Sequence, residues 1–344
     1  MTHLTQTQMH REVQEIPEAV ARLLAEGAGA VRAAAAEVRS RDPAFWVTVA
    51  RGSSDHVATY FKYASEILTG VPVASVGPSV ASVYGRRLRL SGSVCLAVSQ
   101  SGRSPDIVAM ARMAAEEGAL ALALTNDPGS DLARACGHTL ALHAGPELSV
   151  AATKTFVTSA VAALWLLAEI AGDAGLLAAI RALPEALERA VATRWDAVGE
   201  ALGEDGSLYC LGRGPAYAIS NEAALKFKET CLLHAESYSS AEVLHGPVSI
   251  VGRGFPVLAL AGADAAEPLL AEVADGLAAK GATVFATSGL VARATRLPAV
   301  RTAHPLTDPL TLIATFYAMV EEVARARGID PDTPRHLKKV TETT

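Results

Sequence analysis

The chain has 344 residues, a net charge of −6, and is 50% hydrophobic, 19% charged and 5% aromatic. That is enough apolar material for two domains of ordinary size with a large core. With no Lys/Arg block and few aromatic side chains, it carries neither a phosphate-backbone footprint nor a stacking platform, so nucleic acid is not an expected partner. A small anionic ligand remains compatible with the charge, because local amides and one or two cations dominate the potential inside a cleft.

In chain order, QEIPEAVARLLAEGAGAVRAAAAEV reads as a leading helix. AFWVTVARGSSDHVATYFKYASEIL follows as strand, Gly-containing turn and helix, and VCLAVSQSGRSPDIVAMARMAAEEGALALALTND as strand, loop, helix, strand. The stretch from Lys154 to Glu169 is the longest apolar run and is too short to cross a bilayer. A helix-rich joint, GDAGLLAAIRALPEALERAVATRWDAVGEALGEDG, leads into a second half that repeats the plan of the first. There LYCLGRGPAYAISNEAALKFKE is strand, turn and helix, and FPVLALAGADAAEPLLAEVADGLAAKGATVFATSG is strand, loop, helix, strand. Arg51-Gly52 recurs as Arg213-Gly214, 162 positions on, and Gly118 recurs as Gly281, 163 positions on. Registers that agree within one residue predict a duplicated unit. Alternating β and α elements predict an α/β fold, each half a parallel sheet with helices on both faces and ligand-binding loops at the carboxyl ends of the strands. The final GIDPDTPRHLKKVTETT, with two prolines, reads as an irregular tail.

The two copies differ in their loops. The first carries SSDH and SQSGRS; the equivalents in the second, PAYA and AGADAA, have fewer hydroxyls. Ser99, Gln100, Ser101 and Ser104 follow a strand and precede a helix start, where free N–H groups and the helix dipole favour an anion. A cap before Pro105 explains Ser104 alone. With Ser53 and Ser54 these residues predict a two-loop phosphate cradle, distinct from a Walker loop or a dinucleotide fingerprint. In the second half Glu222, Lys226 and Glu229 fall on one helix face. Glu222 and Lys226 by themselves read as a surface ion pair. Glu229 precedes apolar Cys231-Leu232-Leu233, and a carboxylate partly removed from water is a candidate general base. His245, in LHGP, is a candidate proton shuttle, with His234 as competitor. No HxH, HExxH or His/Cys cluster is present, so neither a metal nor a cofactor is expected. Cys95, Cys136, Cys210 and Cys231 form no CxxC and read as buried free thiols. The amino end has no apolar signal core, and a cytoplasmic, soluble protein without a membrane partner is expected.

Five collinear segments resemble the tandem sugar isomerase (SIS) family, specifically the isomerase half of glucosamine-6-phosphate synthase: REVQEIPEAV, SQSGRSPD, GPELSVAATKTF, ALKFKETCLLHAESYSSAEVLHGP and TPRHLKKVT. The resemblance implies two tandem SIS domains, each a three-layer α/β/α sandwich: a helical lead at 1–37, the phosphate-binding domain at 38–190, the domain with the catalytic Glu and His at 191–326, and a tail at 327–344 carrying an active-site lysine. Ser54, Ser99, Gln100, Ser101 and Ser104 look like its phosphate cradle, the last replacing a threonine. Glu229 falls on the base that moves a proton between sugar carbons C1 and C2. His245 falls on a ring-opening histidine contributed by the neighbouring subunit, which implies a homodimer. Lys339 matches a lysine near the open-chain carbonyl. Val150 and Ala151, whose backbone lies along the sugar in the family, join Lys226 in the expected substrate-binding set. Arg103 and Lys338 depart from the family pattern and bring positive charge that bears on substrate choice.

The chain opens MTHLTQ, without the start of the synthase's glutaminase domain. The expectation is therefore an enzyme working in the releasing direction: an aminosugar-phosphate deaminase that converts glucosamine 6-phosphate to fructose 6-phosphate and ammonia. The alternatives are a deglycase or a deaminase for another phosphorylated aminosugar, such as galactosamine 6-phosphate, and a phosphosugar sensor that lacks catalysis.

Overall fold

The single leading helix expected from Gln14 is two helices, α2 (Ile16–Glu26) and α3 (Ala28–Arg41), preceded by a further helix, α1 (Gln8–Gln14), in a computed structural model that describes residues 6–203 and 206–339. Thr7 caps α1, its hydroxyl accepting from the His10 amide at 3.0 Å. Pro17, which has no amide to donate, is tolerated in the first turn of α2 and marks the break behind it. Gly27 separates α2 from α3.

The described residues form two compact units that are not contiguous in sequence. The first takes Glu18–Glu147, Lys154–Arg181 and the described part of Lys338–Thr344; the second takes the described part of Met1–Pro17, Leu148–Thr153 and Ala182–Leu337. The amino-terminal residues and Leu148–Thr153 group with the second unit, and the change of unit falls at Ala182.

Besides α3 and most of α2, the first unit holds β1 (Phe45–Val49), α4 (Ser53–Thr69), β2 (Val73–Ser75), α5 (Ser79–Ser82), β3 (Ser93–Val98), α6 (Pro105–Glu116), β4 (Leu120–Thr125), α7 (Asp131–Ala135), β5 (His138–Ala141), α8 (Lys154–Ala171) and α9 (Ala174–Arg181). The five strands are parallel in the order β2-β1-β3-β4-β5. Every residue of β3 and β4 is buried, as their unbroken apolar runs require of central strands covered on both faces. Val47, Val49, Cys95, Ala97 and Ala123 pack with Ile107, Met110 and Ala114 of α6. Trp46, pointing the other way in β1, meets Phe61 of α4 edge-on at 4.9 Å. Helix α8 has 18 residues and a mean hydropathy of 1.4, a length and composition that would also span a membrane; 83% of that window is buried inside the fold, so its apolar surface is core.

The second unit holds α10 (Leu183–Val191), α11 (Asp196–Ala201), β6 (Ser207–Gly212), α12 (Pro215–Cys231), β7 (His234–Ser239), β8 (Pro256–Ala259), α13 (Glu267–Ala279), β9 (Thr283–Ala286), β10 (Thr295–Arg296) and α14 (Asp308–Ala326), together with α1. Its parallel order, β7-β6-β8-β9-β10, is the order of the first sheet moved down the chain. Helices α4 and α12 each have 17 residues and each follows a glycine in nearly the same left-handed state, Gly52 at φ 55, ψ −134 and Gly214 at φ 58, ψ −138. Side chains bearing a Cβ disfavour that state, so the repeated Arg-Gly pair marks the same backbone turn in both copies. Leu270, Ala274 and Leu277 of α13 pack on Tyr209, Leu211, Val257, Ala259 and Val284, while Phe227 of α12 meets Phe316 of α14 edge-on at 5.1 Å.

All four cysteines are free, and Cys95, Cys210 and Cys231 are buried as expected. Cys136 is only half-buried, although burial still pushes its thiol up to about 12.

Candidate functional site

Between the end of β3 and the start of α6 the SQSGRS loop turns on Gly102, at φ 63. A Cβ there would sit 2.1 Å from the Ser130 hydroxyl oxygen and 2.5 Å from its Cβ, so only glycine fits. The loop braces itself with part of its own polarity. The Ser99 hydroxyl accepts from the Gly102 amide at 3.2 Å, the Ser101 hydroxyl accepts from the Arg103 amide at 3.3 Å, and Thr125 Oγ1 donates to the Gln100 carbonyl at 3.2 Å. Ser104 occupies the N-cap position of α6, yet its hydroxyl makes no capping bond. Neither that hydroxyl, nor Ser54's, nor the Gln100 side-chain amide bonds another described residue, and these groups remain available to a ligand. Ser54, Ser99, Gln100, Ser101 and Ser104 all line one cavity of about 340 Å³, and Lys339 lines it too.

Lys339 is anchored by a residue that sequence reasoning passed over. Its Nζ donates to Glu147 Oε2 at 2.8 Å, and Glu147 also accepts from the amide and hydroxyl of Thr155 at 3.0 and 2.6 Å. Burial alone would push the Glu147 carboxyl up; the Lys339 charge and these donors outweigh it and hold the carboxyl below the usual range. Glu147 lies inside the GPELSVAATKTF segment, so the motif contained it even though its partner is 192 positions away. The last two residues of TPRHLKKVT, 340 and 341, lie outside the described residues.

Arg51 is the second cation of the cavity. The sequence marked it only as a landmark of the repeat. Its Nε and Nη2 both reach Asp106 Oδ2 at 3.0 Å, while Asp106 Oδ1 accepts from the Ile107 amide at 2.9 Å. Arg103 and Lys338, by contrast, stay off the lining: Arg103 is spent on Asp127 at 3.1 Å, and Lys338 is exposed.

In the second unit, Glu222, Lys226 and Glu229 project from α12 as their spacing predicts, but Glu222 and Lys226 are no surface pair. Their side chains are 0% and 1% exposed. Lys226 Nζ lies 3.2 Å from Glu222 Oε1 and 2.5 Å from Glu229 Oε2, and Tyr317 of α14 donates to Glu222 Oε1 at 2.9 Å. Burial pulls the Lys226 ammonium toward its neutral form; the two carboxylates overcome that and hold it charged well above the ordinary lysine range. Glu229 is the member that reaches solvent, at 20% exposure, with one oxygen gripped by Lys226.

The backbone amide of Val150 donates to Asp332 at 3.4 Å, and Ala151 is buried; the preceding Ser149 amide is held by Glu12 of α1. His245 is exposed and closes a 3-10 turn, Glu242–Leu244. With Arg213 and Lys280 it lines a separate cavity of about 380 Å³, which neither Lys226 nor Glu229 lines. His234 stands at the amino end of β7, bonded to Ser207, at the end of a parallel sheet where ligands are not bound. A larger cavity of about 820 Å³, beside α11 and the end of α14, includes none of the expected site residues.

The SIS domain model matches residues 46–170 and 202–292, and the chain belongs to that family. It is similar to glutamine–fructose-6-phosphate aminotransferase (isomerizing) of Sulfolobus acidocaldarius, with 33% identity over 306 residues that make up 85% of this chain and 49% of the relative. The chain thus spans about half the length of the curated relatives it matches and corresponds to their isomerase part. A crystal structure from Silicibacter pomeroyi DSS-3, provisionally named a phosphosugar isomerase, is 66% identical, with a TM-score of 0.92 over 95% of this chain and 100% of that one. Glucosamine-6-phosphate deaminase of Thermotoga maritima shares the fold at 19% identity, with a TM-score of 0.77 over 98% of this chain and 100% of that one.

Proposed function

We propose that the protein is an aminosugar-phosphate deaminase that turns glucosamine 6-phosphate into fructose 6-phosphate and ammonia. The observation that carries the reading is the cradle cavity, in which unspent hydroxyl and amide donors share one lining with an anchored ammonium, Lys339. The phosphate is assigned to Ser54, Ser99, Gln100, Ser101 and Ser104, and the open-chain oxygen to Lys339. Glu229 takes the C2 proton and returns it to C1, with Lys226 fixing the carboxylate in place; water then hydrolyses the C2 imine and frees ammonia. Val150 and Ala151 supply backbone along the sugar. Arg103 and Lys338, the two departures that bear on substrate choice, do not line this cavity.

A homodimer belongs to the same proposal. His245, flanked by exposed Leu244 and Ile250, lines a cavity that Glu229 does not, which suits a ring-opening histidine acting on the neighbouring chain's substrate. The four free thiols suit a reducing, cytoplasmic setting.

Purified protein given glucosamine 6-phosphate should release ammonia, and Glu229→Gln should abolish release while retaining phosphosugar binding. Turnover by that variant would refute the assignment, and binding without turnover by the wild type would make the protein a sensor. Mixing inactive Glu229→Gln with inactive His245→Asn should recover part of the activity if each site draws on two chains; no recovery would remove the shared histidine.

A further inference from the structure

The helix behind the cradle carries an apparent contradiction. The first turn of α6 offers the positive pole of its dipole to an anion, yet its second residue is Asp106, whose carboxylate is 0% exposed. A bare carboxylate there would repel the phosphate assigned to this end of the helix. Arg51, from the turn after β1, answers that charge with two N–H groups on one carboxylate oxygen. A guanidinium has five N–H donors, so three stay unspent. The Arg51 side chain is 51% exposed and lines the cavity.

The cavity's two lining cations are therefore each matched to a buried acid, Arg51 to Asp106 and Lys339 to Glu147. Asp106 fixes where the guanidinium stands, and the guanidinium cancels the field that Asp106 would otherwise set against an anion. Arginine suits this double duty, because its rigid fork can hold a carboxylate along one edge and present the other to phosphate.

We propose that Arg51 is a phosphate-binding residue that makes the cradle select a doubly charged phosphate ester over a singly charged anion, and that Asp106 is its positioning residue. The proposal rests on the phosphosugar reading above and adds to it a charge filter.

The test is calorimetric binding of glucosamine 6-phosphate and glucosamine 6-sulfate to the full chain carrying Glu229→Gln, which stops turnover. The parent should prefer the phosphate ester. Adding Arg51→Ala should weaken phosphate binding roughly 10- to 100-fold, the loss of a charge-assisted hydrogen bond, and weaken sulfate binding much less. Arg51→Ala with Asp106→Asn should bind phosphate about tenfold better than Arg51→Ala alone, because the uncompensated carboxylate is gone; this pair also removes the buried lone charge that destabilises the single variant. Asp106→Asn alone should cost severalfold in phosphate affinity with Arg51 intact. An unchanged phosphate-to-sulfate ratio in Arg51→Ala would overturn the proposal, as would a double variant no better than the single. If melting falls while the ratio holds, the pair is a structural tie and the proposal fails. If the parent binds neither ester, the phosphosugar reading itself fails, an outcome distinct from the others.

Discussion

Replacing Lys226 by methionine would leave Glu222 and Glu229 without the ammonium that both hold, at 3.2 and 2.5 Å. At an effective dielectric near 20, unit charges roughly 4 Å apart interact by about 4 kcal/mol, and deleting one partner of a buried pair costs about 3–5 kcal/mol. Both routes give about 4 kcal/mol for fully buried partners. The 20% exposure of Glu229 lets water recover part of its share, so about 3 kcal/mol is the working figure. For a unit of this size that lowers the melting temperature by roughly 6–12 °C.

The pH dependence separates this cause from a packing defect. In the wild type the Lys226 proton is held more tightly folded than unfolded, so its contribution is complete below the ordinary lysine pKa and is lost only as pH rises through the elevated folded value. In the variant the penalty falls on two like charges in one site. The deficit should therefore open as pH rises through the carboxylate range and close in acid, where the carboxyls are neutral. Thermal unfolding of both proteins between pH 3 and pH 9 measures it, and Glu222→Gln in the variant should restore part of the loss. A deficit under about 1 kcal/mol, or one that does not change with pH, would refute the charge argument.

Three further outcomes are expected. Ser104→Ala should leave stability within about 0.5 kcal/mol, because the hydroxyl caps nothing, while weakening phosphosugar affinity about tenfold; a larger fall in melting temperature would return Ser104 to a capping role. Gly102→Ala meets both a positive φ and a 2.1 Å approach to Ser130, so it should cost about 1–3 kcal/mol in denaturant unfolding and degrade the cradle; neutral behaviour would show that Ser130 can move aside. Lys339→Met should release Glu147 to its desolvated state. The wild-type pair stabilises above the ordinary carboxylate pKa and loses that contribution as pH falls through the lowered value, whereas the variant should be the less stable protein at neutral pH and converge on the wild type in acid, as followed by melting.

Much of the fold was legible because a duplication leaves its register in the chain. The recurrence of Arg51-Gly52 as Arg213-Gly214 predicted two similar units, and the backbone angles of Gly52 and Gly214 show the same turn. The outer strands β2 and β7 escaped notice: Val73–Ser75 is three residues long and partly exposed, and HAESYS has little apolar alternation. Hydroxyl density exposed the SQSGRS loop because capping needs one hydroxyl there, and four side chains had to be explained.

What the sequence determined by itself was local: which segments alternate between strand and helix, where a turn demands glycine, which loop is rich in hydrogen-bonding groups, and that Glu222, Lys226 and Glu229 share a helix face. Period and spacing are properties of a single element and survive reading along one dimension. Only the tertiary structure decided that this face is turned inward, making a presumed surface pair into a buried cluster closed by Tyr317, 95 positions from Glu222. It alone joined Lys339 to Glu147 and Arg51 to Asp106, because a buried charge must find its counter-ion through space, wherever along the chain that partner happens to lie.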